Sequence, residues 1–167
     1  MLDNVKMVII DVDGVLTDGK IILDANGTES KAFYVQDGTA ITYLHRAGIK
    51  TAIISGRESK VVEIRAKELS IEDVYLGIHN KLEAYEKILR KHQIQDYEVW
   101  YIGDDLIDLP ILRKVGFSVT VPNAPSEVKE NVSYITNAPG GYGAIREVTE
   151  KILKSQGKWD AITSRYY

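Results

Sequence analysis

Three short stretches of this 167-residue chain carry side chains that can do chemistry: Asp11-Val12-Asp13-Gly14, Ser55-Gly56-Arg57 and Gly103-Asp104-Asp105. Each closes an apolar, β-branched run. Carboxylates gathered at one place repel one another unless a cation neutralises them. Oxygen donors without a neighbouring histidine or cysteine suit magnesium better than zinc. An Asp-x-Asp pair with carboxylates after a later strand fits phosphoryl transfer through an aspartyl-phosphate. One carboxylate attacks phosphorus; another gives a proton to the leaving alkoxide and then takes one from water. Ser55 and Lys81 offer a hydroxyl and an ammonium for the equatorial oxygens. A lysine opening a helix opposes the helix dipole and calls for an anion beside it. Taken singly, each feature has a plainer reading. Asp-x-Asp is a solvated turn, Ser55 a helix cap, and Arg57 and Arg65 are surface ion pairs. Asp105 is either an orienter of the metal or a helix cap, and Asp108 caps or supports the ligands. Their ordered recurrence at strand ends favours the chemical reading.

The elements that must position them read as an alternation of strand and helix. Val5 to Ile10 is the first strand, followed by a hairpin at about 20–34 with Asn26-Gly27 at its turn. A helix recurs on Ala40, Ile41, Leu44 and Ala47 and stops at Gly48. Thr51 to Ile54, Val74 to Leu76, Val99 to Ile102 and Phe117 to Val121 read as further strands. Helices fall at Val61 to Leu69, Lys81 to Lys91, Leu106 to Lys114 (with a boundary or kink at Pro110) and Ala144 to Leu153. The tail after Gln156, ending in Tyr166-Tyr167, shows no period. This pattern predicts one α/β domain over 1–167: a doubly wound, Rossmann-like parallel sheet with a hairpin insertion and no cap domain. In such sheets ligands bind beyond the carboxyl ends of the strands, where the three chemical stretches would converge.

Composition narrows the function further. Hydrophobic residues are 44% and charged residues 27%, with a net charge of −3, which argues against a nucleic-acid binder. There is no cysteine, so neither a disulfide framework nor a thiol nucleophile is available. His45, His79 and His92 lie apart, without ligand spacing. The first apolar run is too short for a signal peptide or a membrane span, which predicts a soluble, cytoplasmic protein. No Gly-x-x-x-x-Gly-Lys-Ser/Thr occurs, so a P-loop kinase is excluded.

Asp11-Val12-Asp13-Gly14-Val15-Leu16-Thr17-Asp18, Ile54-Ser55-Gly56-Arg57, Lys81 and Gly103-Asp104-Asp105 resemble the four ordered motifs of haloacid dehalogenase superfamily phosphatases. Within that superfamily the whole chain is similar to a capless group acting on sugar acid phosphates. The residues that carry this are Phe33, Asp37-Gly38, Arg65, Asn80-Lys81, Leu106-Ile107-Asp108, Gly140-Gly141, Gly143-Ala144, Arg146-Glu147-Val148 and Gln156-Gly157-Lys158. The resemblance implies Asp11 as nucleophile and metal ligand, Asp13 as acid/base with its backbone carbonyl on Mg2+, and Asp104 as the remaining protein ligand. Ser55 and Lys81 would bind phosphate. Gly56, Arg57, Arg65 and the segment Tyr34, Val35, Gln36, Asp37, Gly38 would contact the sugar acid. Gln36 and Tyr142 stand where the group often has arginine. The implied reaction is hydrolysis of 3-deoxy-D-manno-octulosonate 8-phosphate, feeding lipopolysaccharide synthesis. The implied assembly is a homotetramer in which neighbouring hairpins and tails close each site, the tail bending at Gly140-Gly141 and Gly143. Two alternatives stand beside it. One is a nine-carbon sialic-type acid 9-phosphate as substrate, favoured by Lys67 and disfavoured by Arg57. The other is a non-catalytic, phosphatase-like oligomerisation module, disfavoured by the presence of Asp11, Asp13 and Lys81.

Overall fold

Strand β1 (Met7–Ile10) is apolar and completely buried, with Met7 and Ile9 turned to one core and Val8 and Ile10 to the other. A strand can be apolar on both faces only where both faces are covered, as in a parallel sheet. The structure is a computed structural model and describes residues 4–167. After β1 come a small hairpin of β2 (Ile22–Leu23) and β3 (Glu29–Ser30), helix α1 (Val35–Arg46), β4 (Lys50–Ile54), α2 (Lys60–Glu68), β5 (Asp73–Tyr75) and α3 (Lys81–His92). The second half holds β6 (Val99–Ile102), α4 (Leu109–Leu112), β7 (Phe117–Thr120), α5 (Ser126–Lys129), β8 (Tyr134–Ile135), α6 (Ala144–Ser155) and α7 (Trp159–Thr163).

The main sheet is six-stranded and parallel, in the order β5-β4-β1-β6-β7-β8. The chain leaves β1 toward β4 and β5 on one side, then returns to β6 and proceeds to β8 on the other. That reversal opens a crevice beyond the carboxyl end of β1. One core joins the sheet to α1 and α6, with Trp100 stacked on Phe117 at 4.0 Å between ring centroids. The other joins it to α3 and α4 through Tyr85, Ile88, Ile111 and Tyr101. The expected doubly wound architecture is present, and the stretch between β1 and α1 holds one helical turn, Val12–Leu16, and the hairpin, with no cap domain.

Four local features differ from the sequence reading. The sixth strand, β8, is two residues long and carries too few side chains to show a period. In the hairpin turn only Gly27 takes positive φ, and its N–H donates to the Asp24 carbonyl at 3.0 Å. Asp24 Oδ1 also accepts from the amides of Asn26 and Thr28, so the aspartate fixes the turn rather than an Asn-Gly pair. Pro110 sits in the first turn of α4, just after a 3₁₀ turn at Leu106–Asp108, so it marks a start rather than a kink. The aperiodic tail contains the short helix α7, which packs Trp159 and Ile162 against the core and is held further by aromatic and cationic side chains. Trp159 meets Tyr43 edge-on at 6.0 Å and lies under the guanidinium of Arg146, and Arg46 donates to the Tyr166 hydroxyl at 2.8 Å. Arg46 ends α1 where it leads into β4, so these contacts lie at the end of the sheet away from the crevice.

Candidate active site

Asp11 follows the last residue of β1 and is 6% exposed. The chain then makes one wide helical turn, Val12–Leu16, broken by extended Asp13 and by Gly14 at φ 91°. Thr17 ties this turn: its hydroxyl accepts from Gly14 N–H at 3.3 Å and Gly19 N–H at 3.2 Å. Only glycine fits at 14. A Cβ there would lie 1.9 Å from Asp104 Oδ2, so the missing side chain is the space into which Asp104 reaches. Gly140 is constrained in the same way, because a Cβ would lie 1.7 Å from the Gly14 carbonyl oxygen. Gly141 N–H then donates to the Val15 carbonyl at 3.0 Å. Gly141 and Gly143 both take positive φ, and the bend they make ahead of α6 buttresses the turn after β1.

Lys81, the first residue of α3, is buried, with its ammonium 2.8 Å from Asp11 Oδ1 and 2.7 Å from Asp108 Oδ1. The expected anion at this helix start is therefore a pair. Burial pulls the Lys81 pKa down, but the charges of Asp11 and Asp108 more than reverse this and leave it raised. Asp108 is wholly buried and fully engaged. Oδ1 accepts from Lys81 and from the Tyr101 hydroxyl at 2.5 Å; Oδ2 accepts from the amides of Asp104 at 3.0 Å and Asp105 at 3.1 Å. Asp105 caps the 3₁₀ turn through Leu106 N–H, so the cap and support readings of these two residues hold together.

Carboxylate oxygens of Asp11, Asp104 and Asp108 all lie within 4.8 Å of one another. Burial first, then repulsion from Asp108, raises Asp11 to about 6. Burial first, then Asp11 and Asp108, raises Asp104 to about 8. One ammonium does not neutralise three packed carboxylates, so the site is short of positive charge. All-oxygen donors and this charge deficit fit a hard divalent ion. With both oxygens of Asp108 already taken by donors, Asp11 and Asp104 are the carboxylates with capacity left for it.

Ser55 follows β4 and is 2% exposed. It is not a helix cap; Ser59 caps α2 by accepting from Val62 N–H at 3.4 Å. Gly56 and Arg57 lie at the crevice rim, Arg57 with Nε 3.9 Å from Asp13 Oδ2 and a second nitrogen 3.1 Å from Glu29. The segment Tyr34 to Gly38 forms the start of α1, where Val35 and Gln36 are exposed and Tyr34 faces Tyr142 at 6.4 Å between ring centroids. Asp37 is buried, and its carboxylate accepts from Gly143 N–H at 3.3 Å and Arg146 N–H at 2.9 Å, capping α6. Arg65 lies over the Phe33 ring and against Gly38, pairing with Glu68 at 2.8 Å. Among the described residues no ion pair joins it to Asp11 or Asp13.

One residue absent from the sequence reading stands inside the crevice. Lys31, just past β3, reaches Asp13 Oδ1 at 2.5 Å and Glu29 at 3.3 Å with a side chain 1% exposed. The available signal was strand alternation, which places Glu29 and Lys31 on the same side of the hairpin.

The haloacid dehalogenase-like hydrolase family model matches residues 73–143. The chain is 46% identical over 158 residues, 95% of this chain and 84% of the relative, to the 3-deoxy-D-manno-octulosonate 8-phosphate phosphatase KdsC of Salmonella typhi. It is 44% identical to KdsC of Yersinia pestis over 96% of this chain and 86% of that one. The crystal structure of the Moraxella catarrhalis 3-deoxy-D-manno-octulosonate 8-phosphate phosphatase with magnesium ion, phosphate ion and KDO superposes with a TM-score of 0.97. Identity there is 44%, covering 99% of this chain and 95% of that chain. The cobalt-bound Haemophilus influenzae phosphatase superposes with a TM-score of 0.91 at 42% identity, covering 94% of this chain and 92% of that chain. With its carboxylate cluster, buried lysine and capless sheet, this chain belongs to the 3-deoxy-D-manno-octulosonate 8-phosphate phosphatase family of haloacid dehalogenase-like hydrolases.

Proposed function

We propose that the chain hydrolyses 3-deoxy-D-manno-octulosonate 8-phosphate to the free sugar acid and inorganic phosphate, a step toward lipopolysaccharide. The observation that carries this is the meeting of Asp11, Asp104 and Lys81 at the strand ends of a chain that superposes on a magnesium-, phosphate- and KDO-bound phosphatase. Asp11 attacks phosphorus, forming an acyl phosphate as the bond to the sugar oxygen breaks. The leaving oxygen takes the bonding pair and a proton from Asp13. Asp13, now a carboxylate, takes a proton from water; that water's oxygen attacks phosphorus, and the bond to Asp11 breaks to restore its carboxylate. Lys81 holds Asp11 in line and, with Ser55, binds the phosphoryl oxygens. Magnesium, held by Asp11, Asp104 and the Asp13 carbonyl, offsets the repulsion between carboxylate and phosphate. Arg57, Gly56 and the start of α1 contact the sugar acid.

No helix among the described residues is long and apolar enough to cross a membrane, and a cytoplasmic location accords with a soluble sugar-acid substrate. A homotetramer is the proposed assembly. Ile21, Ile22 and Leu23 of the hairpin are each at least half exposed, an apolar edge suited to burial against a neighbour. Light scattering of wild type and Ile22→Glu tests it: a tetramer that the charge dissociates is expected, and a monomeric wild type refutes it. For the reaction, phosphate release is measured on the eight-carbon 8-phosphate and the nine-carbon 9-phosphate, with and without magnesium. Preference for the nine-carbon acid refutes the substrate, and no magnesium-dependent release from either refutes the activity.

A further inference from the structure

Asp13 works in both half-reactions, yet nothing on its own turn holds its side chain. The restraint comes from the hairpin. Lys31 places its ammonium 2.5 Å from Asp13 Oδ1, and its side chain is 1% exposed. Lysines are rarely buried so completely unless paired. Here the second partner is Glu29 at 3.3 Å, itself fixed by the Ser59 hydroxyl at 2.5 Å and by Arg57 at 3.1 Å. Ser59 is the cap of α2, so a run of polar contacts leads from a rigid helix end through the hairpin to Asp13. Among the described residues Asp13 Oδ2 has no such clamp, and Arg57 Nε stands 3.9 Å from it.

A carboxyl torsion is broad and two-fold, so an unrestrained Asp13 would spread its oxygens over many directions. Proton transfer needs the working oxygen within about 2.6–3.2 Å of its partner. We infer that Lys31 is a positioning residue. It clamps Oδ1 of Asp13 and leaves Oδ2 as the oxygen that protonates the departing alkoxide and later takes the proton of water. The inference rests on the proposed phosphatase reaction, and it makes the hairpin part of the acid/base device as well as a surface for neighbours.

A lysine that only braced the hairpin, or only bound phosphate, would slow all substrates alike. A lysine that positions the acid would not. The value of kcat/KM covers steps through cleavage of the bond to the leaving group. The sugar alkoxide must be protonated as it departs, whereas p-nitrophenolate leaves without help. Lys31→Met should lower kcat/KM for the sugar acid phosphate by about 10–100-fold, with a fall for p-nitrophenyl phosphate at least about tenfold smaller. Glu29→Gln keeps the lysine and loosens its second anchor. It should shift the ratio of the two substrates in the same direction by less, and it carries the test should Lys31→Met fail to fold. On an Asp13→Asn background, Lys31→Met should add almost nothing. An unchanged substrate ratio in both variants, or full additivity with Asp13→Asn, overturns the inference. A wild-type chain inactive on both esters overturns the proposed function and this inference with it.

Discussion

Replacing Asp108 with asparagine tests the polar network beneath the site, because the amide keeps the shape and changes the donor count. Asp108 accepts four hydrogen bonds, two at each oxygen, and is wholly buried. Asparagine has one acceptor oxygen and one NH2. If the oxygen faces Lys81 and Tyr101, the NH2 meets the amide protons of Asp104 and Asp105. If it flips, the NH2 meets the Lys81 ammonium. Either way two donors lose their acceptor, at about 1–3 kcal/mol each where they are buried. Lys81 also loses one of its two counter-charges, and breaking a buried pair costs about 3–5 kcal/mol by itself. Since these counts overlap, a total of about 3–5 kcal/mol is expected. For a chain of this size that lowers Tm by roughly 6–20 °C. Calorimetry in magnesium-free buffer reads the folding term without metal binding. Activity should fall too, because Lys81 is aimed by Asp108. A variant melting within about 2 °C of wild type would show that this network does not hold the site as argued.

Asp11→Asn should keep the fold, at some cost in stability from the counter-charge that Lys81 loses, and release no phosphate, since an amide cannot attack phosphorus; turnover near the wild-type rate would refute its role as nucleophile. Gly14→Ala puts a methyl where Asp104 Oδ2 now lies and strains a φ of 91°. It should raise the magnesium concentration needed for half-maximal activity by about 10–100-fold, by analogy with mutations that misplace metal ligands, and an unchanged magnesium titration would count against Asp104 as ligand. Both Asp11 and Asp104 have pKa values raised above 3.8 in the folded chain, so the metal-free fold holds protons that the unfolded chain releases. Their contribution to stability is complete below about pH 4 and is lost as pH rises through about 6 and about 8. Thermal melts in chelator should therefore decline across that window, and magnesium should raise Tm more at its upper end; a gain from magnesium that is equal at both ends would refute the coupling.

The sequence by itself pointed to the chemistry and to the order of the first five strands of the main sheet with the helices between them. Asp11, Ser55 and Asp104 are legible because each closes a β-branched run, and a parallel sheet brings the carboxyl ends of such runs together whatever the strand order. The helix-opening Lys81 called for an anion through the dipole argument, and the structure supplies two, Asp11 and Asp108. Only the tertiary structure decided what depends on contacts distant in sequence. No period marks Lys31 as the partner of Asp13, since its burial comes from how the hairpin folds back over the turn after β1. Nothing near Asp37 in the sequence shows that its carboxylate caps α6, which begins more than a hundred residues later. The tail helix is only five residues long, too short to show a period, and Trp159 and Ile162 find their core contacts, with Tyr43 and Arg146 beside Trp159, only once α1 and α6 are in place. Gly14 and Gly140 could be seen as flexible positions in the sequence, but their need to lack a side chain comes from Asp104 and from the backbone packed against them.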